Sequence, residues 1–190
     1  MKVVVVWLWL FCSAVWLSAQ PAQIILMRHA EKPKDPRALH LSEKGEERAN
    51  ALPEFFKRDN KAMRYGAPVA LFASRPTRHG GGQRPGETLA PLAKTLGLPI
   101  QRPYKSEDFD KLARTILNNA EFRGKTVLVC WVHEHLNSFA AALGVKSELP
   151  KWKDPVYDRA YHITFADGQA ELDVVNLKLL PGDSKYKEQD

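Results

Sequence analysis

Apolar residues in this chain fall into short unbroken runs and into longer stretches with helical spacing, and the two kinds alternate. Gln23 to Met27 is a compact apolar run, which predicts a buried strand. Ser42 then offers an N-cap side chain, with Glu43, Glu46 and Glu47 near the positive end of the helix dipole. Ala49, Leu52 and Phe56 follow at helical spacing, and Pro53 is expected to kink or end this helix. "APVALFAS" (67–74) predicts a second strand, and "ETLAPLAKTLGL" a helix that closes at Gly97. "SEDFDKLARTILNN" puts Phe109, Leu112, Ile116 and Leu117 on one helical face. "KTVLVCWV" (125–132) is apolar on both faces, the pattern of a central strand covered on both sides, and it runs into a helix that ends near Gly144. "AYHITFADGQAELDVVNL" has the form of a hairpin turning at Asp167-Gly168. Strands and helices in alternation predict an α/β fold, a three-layer αβα sandwich with a mostly parallel central sheet.

The first 19 residues depart from this pattern. One Lys precedes an uncharged apolar run to Leu17, followed by small and polar residues. This is the layout of a secretory signal peptide with cleavage after Ala19, and the run is short for a membrane span of about 20 residues. A retained N-terminal anchor is the alternative. The expected organisation is a signal peptide over 1–19, one domain over 20–180 and a polar tail over 181–190, with export to the periplasm or medium and no stable membrane insertion after cleavage. At 190 residues, 44% hydrophobic and 26% charged, the chain has the means to build one sizeable core. Lys2 is the only charged residue of the leader, so processing takes the net charge from +6 to +5. The Lys and Arg residues are dispersed, without a basic helix or a finger signature, which argues against nucleic acid as a partner. Cys130 alone follows the leader, so a processed chain has no internal disulfide and must be stabilised by its core.

The strand ends carry the chemistry. "IILMRH" ends in Arg28-His29 and "VLVCWVH" ends in His133, so two buried parallel strands would deliver imidazoles to one sheet edge. Between them lies "SRPTRHGGGQRPGET", rich in Arg and Gly. Two imidazoles with several guanidiniums and no aspartate cluster suit a phosphoryl group held without metal, because arginine forks match phosphate oxygens. His133 and His135 form a His-x-His pair, but no Cys or Asp cluster accompanies it, so neither a metal nor another cofactor is expected. His40, His79 and His162 lack motif context and read as surface or packing residues, and the triple glycine 80–82 as a flexible loop.

With these residues in this order, the sequence resembles the histidine phosphatase superfamily, also called phosphoglycerate mutase-like. Arg28-His29 stands where the family has its Arg-His dipeptide, and "LSEKGEERA" resembles its Leu-Ser/Thr-x-x-Gly helix start. Arg84-Pro85-Gly86-Glu87-Thr88 resembles its Arg-x-x-x-Thr segment, and His133 matches its second histidine. Two departures stand out. "RPTRHGGGQ" is an insertion between Ser74 and Arg84, which makes Arg78 a rival for the second arginine, and Glu134 replaces the small residue often found after the second histidine.

The resemblance implies an exported, metal-independent phosphatase. His29 would become phosphohistidine, Arg28, Arg84 and His133 would bind the phosphate, and Glu134 would act as general acid, with Glu107 or Asp108 as its alternatives. Glu31 reads as a solvated carboxylate. The expected partner is a small phosphorylated substrate or a phosphoprotein, since the short connection after "GLPI" leaves little room for a large lid. A phosphotransferase or mutase could use the same pocket, and a non-catalytic phosphate-binding protein is the reading of a different class.

Overall fold

The computed structural model describes residues 20–58, 61–78, 81–149, 151–166 and 168–183; the expected signal peptide lies outside them. Six strands form one sheet: β1 (Gln23–Arg28), β2 (Pro68–Ala73), β3 (Ile100–Gln101), β4 (Thr126–Trp131), β5 (Arg159–Ala166) and β6 (Gln169–Asn176). Their order is β3-β2-β4-β1-β5-β6. The pairs among β3, β2, β4 and β1 are parallel, and the closing hairpin β5–β6 adds two antiparallel pairings. Every residue of β1 and β4 is buried, as expected of central strands whose two faces are both covered.

Alternation along the strands assigns the two faces. Ile24 and Leu26 of β1 join Val127 and Val129 of β4 under α3 (Phe109–Asn118) and α4 (Leu136–Ala142), where Leu112, Ile116 and Phe139 are fully buried. Ile25 and Met27 join Leu128 and Cys130 under α1 (Glu43–Phe55) and α2 (Gln83–Leu96), which contribute Leu52, Leu89 and Leu92. The helix after β1 therefore lies on one face and the helix after β4 on the other. Adjacent parallel strands with opposite connections make a switch point, the place in such folds where ligands tend to bind, and here it lies at the carboxyl ends of β1 and β4.

The helix boundaries follow the predicted signals. Ser42 caps α1 by accepting from the Gly45 N–H at 3.2 Å, and α2 ends on Gly97 at φ 65°. Pro53 lies in the last turn of α1, so its missing N–H and ring bulk fall where the helix ends. The third and fourth helices each begin with a 3-10 turn, Ser106–Asp108 and His133–His135. The polar C-terminal segment is anchored at its start. Asp183 packs its carboxylate against Arg48 through two hydrogen bonds of 2.8 Å and accepts the N–H groups of Leu179 and Leu180. Among the described residues, no helix is long and apolar enough to cross a membrane.

Candidate active site

β1 and β4 are neighbours in register, with Met27 opposite Cys130 and Arg28 opposite Trp131. The ladder extends one step beyond the strands, since the His29 N–H donates to the Trp131 carbonyl at 3.0 Å. His29 and His133 thus leave the sheet at the same edge, His29 making the last ladder bond itself and His133 following its acceptor Trp131 by two positions. This geometry follows directly from two in-phase apolar runs that each end in histidine.

His29 is 5% exposed, and its Nδ1 lies 2.7 Å from the Ala30 carbonyl oxygen. A carbonyl oxygen only accepts, so Nδ1 carries the proton and Nε2 is the unprotonated nitrogen. Burial pulls the pKa of His29 down to about 3; the bond to Ala30 opposes this, and the charges of Arg28, Arg84 and His133 add to it. The ring is neutral at physiological pH, the state a nitrogen nucleophile requires.

Arg28 is fully buried and held by one turn of chain. Its Nη1 donates to the carbonyl oxygens of Asp154 and, at 3.2 Å, Val156. Its Nη2 donates to Asp154 Oδ1 at 2.8 Å and to the Tyr157 hydroxyl at 3.2 Å. The guanidinium also lies 3.9 Å from the centre of the Tyr157 ring. Asp154 Oδ1 is 3.2 Å from Lys32 Nζ and 3.6 Å from His133 Nε2 as well. The hydrogen bonds from Arg28 and Lys32 hold the Asp154 carboxyl at about 2, well below its ordinary value.

His133 is mostly buried, and desolvation followed by the Arg28 charge lowers its pKa, against the pull of Glu134 and Asp154. Glu134 is largely exposed, with Oε2 3.1 Å from His133 Nδ1 but no hydrogen bond formed between them. The 3-10 turn separates the rings of the His-x-His pair: His133 faces Asp154, whereas His135 lies against Phe109 with ring centres 5.3 Å apart. Among the described residues, no group of three or more His, Cys, Asp or Glu is arranged to hold a metal ion.

Arg84 opens α2, and its charge bears on His29. Its guanidinium spans to the loop after β1, donating to the carbonyls of Ala38 and, at 3.1 Å, His40. Thr88 explains the spacing of the Arg-x-x-x-Thr segment. Its hydroxyl donates to the Arg84 carbonyl at 2.8 Å, one helical turn back, and accepts the Ala30 N–H at 2.9 Å. That bond ties the start of α2 to the residue after His29. The rival Arg78 is exposed on the preceding loop. The two alternative acids differ in their surroundings: Asp108 is bonded to Lys111 at 2.6 Å, which lowers its pKa, while Glu107 is exposed beside Ser106.

Glu31 departs from the reading as a solvated carboxylate. It is 8% exposed and receives two bonds of 2.9 Å from Arg48, which also grips Asp183. The expectation failed because the partner comes from the buried face of α1, where an arginine was not anticipated. A Cβ on Gly45 would collide with the Glu31 carbonyl oxygen, so glycine is what lets α1 approach the chain just after His29. Arg48, Lys32, Asp154 and Tyr157 were not among the sequence candidates. Arg102 was missed too; it packs beneath Gly86 and donates to the Ser74 carbonyl at 2.9 Å, bracing the Arg/Gly loop.

Two cavities lie away from these residues. One of about 380 Å³ opens beside α1 and α2 near His40 and Glu87, and one of about 530 Å³ beside the hairpin near Phe165 and Gln169. Neither reaches the histidine edge, where Asp154 and Tyr157 cover Arg28.

No protein-family model matches the sequence, and no curated protein matches it. Solved structures do resemble it. Alpha-ribazole phosphatase from Shigella flexneri matches with a TM-score of 0.54 at 15% identity, over 81% of this chain and 96% of that one. A mycobacterial glucosyl-3-phosphoglycerate phosphatase in complex with inorganic phosphate matches with 0.53 at 15%, over 82% and 97%. A mutant phosphoserine phosphatase from Entamoeba histolytica in complex with phosphoserine matches with 0.54 at 12%, over 83% and 98%. At these identities the likeness is one of fold, and it spans nearly the whole of each neighbour.

Proposed function

This chain has the histidine phosphatase fold, and we propose that it is a phosphatase that hydrolyses phosphomonoesters through a phosphohistidine on His29. The observation that carries the reading is the tautomer of His29: a buried ring whose Nδ1–H is spent on the Ala30 carbonyl, at an edge shared with Arg28 and His133. The phosphatases of like fold support the same class of reaction.

In the first step the Nε2 lone pair attacks phosphorus and the ester P–O bond breaks. Its electron pair stays on the leaving oxygen, which takes a proton from Glu134. The imidazole now carries Nδ1–H and Nε2–P, and the Ala30 carbonyl stabilises the resulting positive ring. In the second step Glu134 accepts a proton from water as its oxygen attacks phosphorus, the P–N bond breaks, and neutral His29 is restored. Arg28, Arg84 and His133 stabilise the negative charge on the equatorial oxygens, the chief task in phosphoryl transfer. His133 is held toward the neutral form here, and a bound phosphate dianion would draw it toward the charged donor form.

Because side chains supply this charge, turnover is expected to proceed without metal. The leader sequence supports export, and the absence of a large insertion before α3 supports small phosphomonoesters or an exposed phosphoresidue as substrates. The test is hydrolysis of an aryl phosphate in the presence of EDTA by wild type and His29→Ala. EDTA-resistant activity that disappears in the variant supports the proposal. Activity that survives the substitution, or that EDTA abolishes, contradicts it.

A further inference from the structure

We propose that the Asp154 carboxylate stands in for a substrate phosphoryl oxygen, and that Lys32 is a further cation of that anion site, so that phosphate binds by displacing Asp154. The proposal rests on the phosphatase reading and adds two residues to it. Three side chains converge on one oxygen: Arg28 Nη2 at 2.8 Å, Lys32 Nζ at 3.2 Å and His133 Nε2 at 3.6 Å from Asp154 Oδ1. Two of the three are the groups expected to hold phosphate, and the third reaches the same point from the loop after β1.

A count of Arg28 donors shows why the carboxylate must leave. A guanidinium has five N–H groups. Two go to the carbonyls of Asp154 and Val156, and two to Asp154 Oδ1 and the Tyr157 hydroxyl. The remaining Nε–H is buried without a hydrogen-bond partner among the described residues. An arriving phosphate therefore finds one vacant donor on Arg28, and gains a second when the carboxylate withdraws.

The turn around Asp154 allows this exchange. Its base is fixed, because the buried Trp152 donates its indole N–H to the Val156 carbonyl at 2.9 Å and Val156 N–H donates to Lys153 at 3.1 Å. The Asp154 side chain itself is 59% exposed, so the carboxylate can rotate into water while the turn and the backbone bonds to Arg28 persist. A dianionic phosphate replaces one negative charge with two and competes well. A monoanionic diester gains less from the same exchange, so the site favours monoesters.

The test is isothermal titration of inorganic phosphate at neutral pH and low salt into wild type, Asp154→Asn, Asp154→Ala and Lys32→Met, with thermal melts to verify folding. Both Asp154 variants are expected to bind phosphate roughly fivefold tighter, and Lys32→Met weaker by a similar factor. Equal or weaker binding in the Asp154 variants, or unchanged binding in Lys32→Met, overturns the proposal. If wild type binds phosphate and no variant differs, the proposal fails while the phosphatase reading stands. If no protein binds phosphate, both fail.

Discussion

The buried neutral state of His29 makes the stability of this protein depend on pH in a calculable way. In the unfolded chain an imidazole titrates near 6.5, whereas in the fold burial holds His29 at about 3. Between those values the unfolded chain binds a proton that the folded chain does not. Stability is therefore intact above pH 6.5 and falls as the pH drops toward 3. At pH 5 the loss from this one group is about 2 kcal/mol relative to pH 7.5, an order-of-magnitude figure obtained by integrating the two titrations. In urea this corresponds to a midpoint shift of roughly 1 M. His29→Gln keeps the size and polarity of the side chain without the titration. Urea denaturation at both pH values should show wild type losing about 2 kcal/mol more than the variant, with carboxylate contributions common to both cancelling. Equal losses would refute the reasoning: His29 would then take up a proton in the fold as easily as outside it, and would not be a neutral nucleophile at mildly acidic pH.

Other substitutions probe the surroundings of the site. Arg48→Met leaves two buried carboxylates, Glu31 and Asp183, without their shared cation, and should cost about 3–5 kcal/mol by chemical denaturation. The same pairing gives a second acid limb. Burial raises the Asp183 pKa, but the bonds from Arg48 and Leu180 outweigh it and leave a net lowering, so its contribution is present above the ordinary carboxylate range and disappears as pH falls through the lowered value. Gly45→Ala should destabilise the protein by about 1–3 kcal/mol and reduce kcat, because the new methyl group pushes on the backbone two residues after His29. Glu134→Gln should lower kcat by about 10²-fold or more on an alkyl phosphate and far less on a nitrophenyl phosphate, whose leaving group needs no proton. Asp108→Asn, which alters a carboxylate held by Lys111, should leave both rates near wild type in the same assay.

The features legible in the sequence are those whose signals are local. β1 and β4 were readable because burial on both faces leaves an unbroken apolar run, and Ser42 and Gly97 because capping is decided within one turn. The Arg84–Thr88 spacing was visible through the family resemblance, and the structure gives its reason, since both ends lie on one helical turn. Contacts between distant segments were not. Arg28 meets Asp154 across 126 positions and Arg48 meets Asp183 across 135, and neither aspartate sits in a pattern that announces its partner. Glu31 was misread because a charged residue after a strand end is usually solvated. Here Gly45 brings α1 so close that the carboxylate is enclosed and needs Arg48. The strand ends pointed to Arg28, His29 and His133 at one edge, but not to Lys32 beside them or to the turn that lays Asp154 and Tyr157 over Arg28.

The central claim is that the phosphoryl group passes through His29, and trapping the intermediate tests it most directly. Wild-type protein mixed with a ³²P-labelled aryl phosphate and quenched in alkali, where phosphohistidine survives, should carry label on the peptide containing His29. The label should be lost on acid treatment, as expected of a P–N bond, and should not form in His29→Ala. Turnover without labelled protein under these conditions, or label on another residue, would contradict the account.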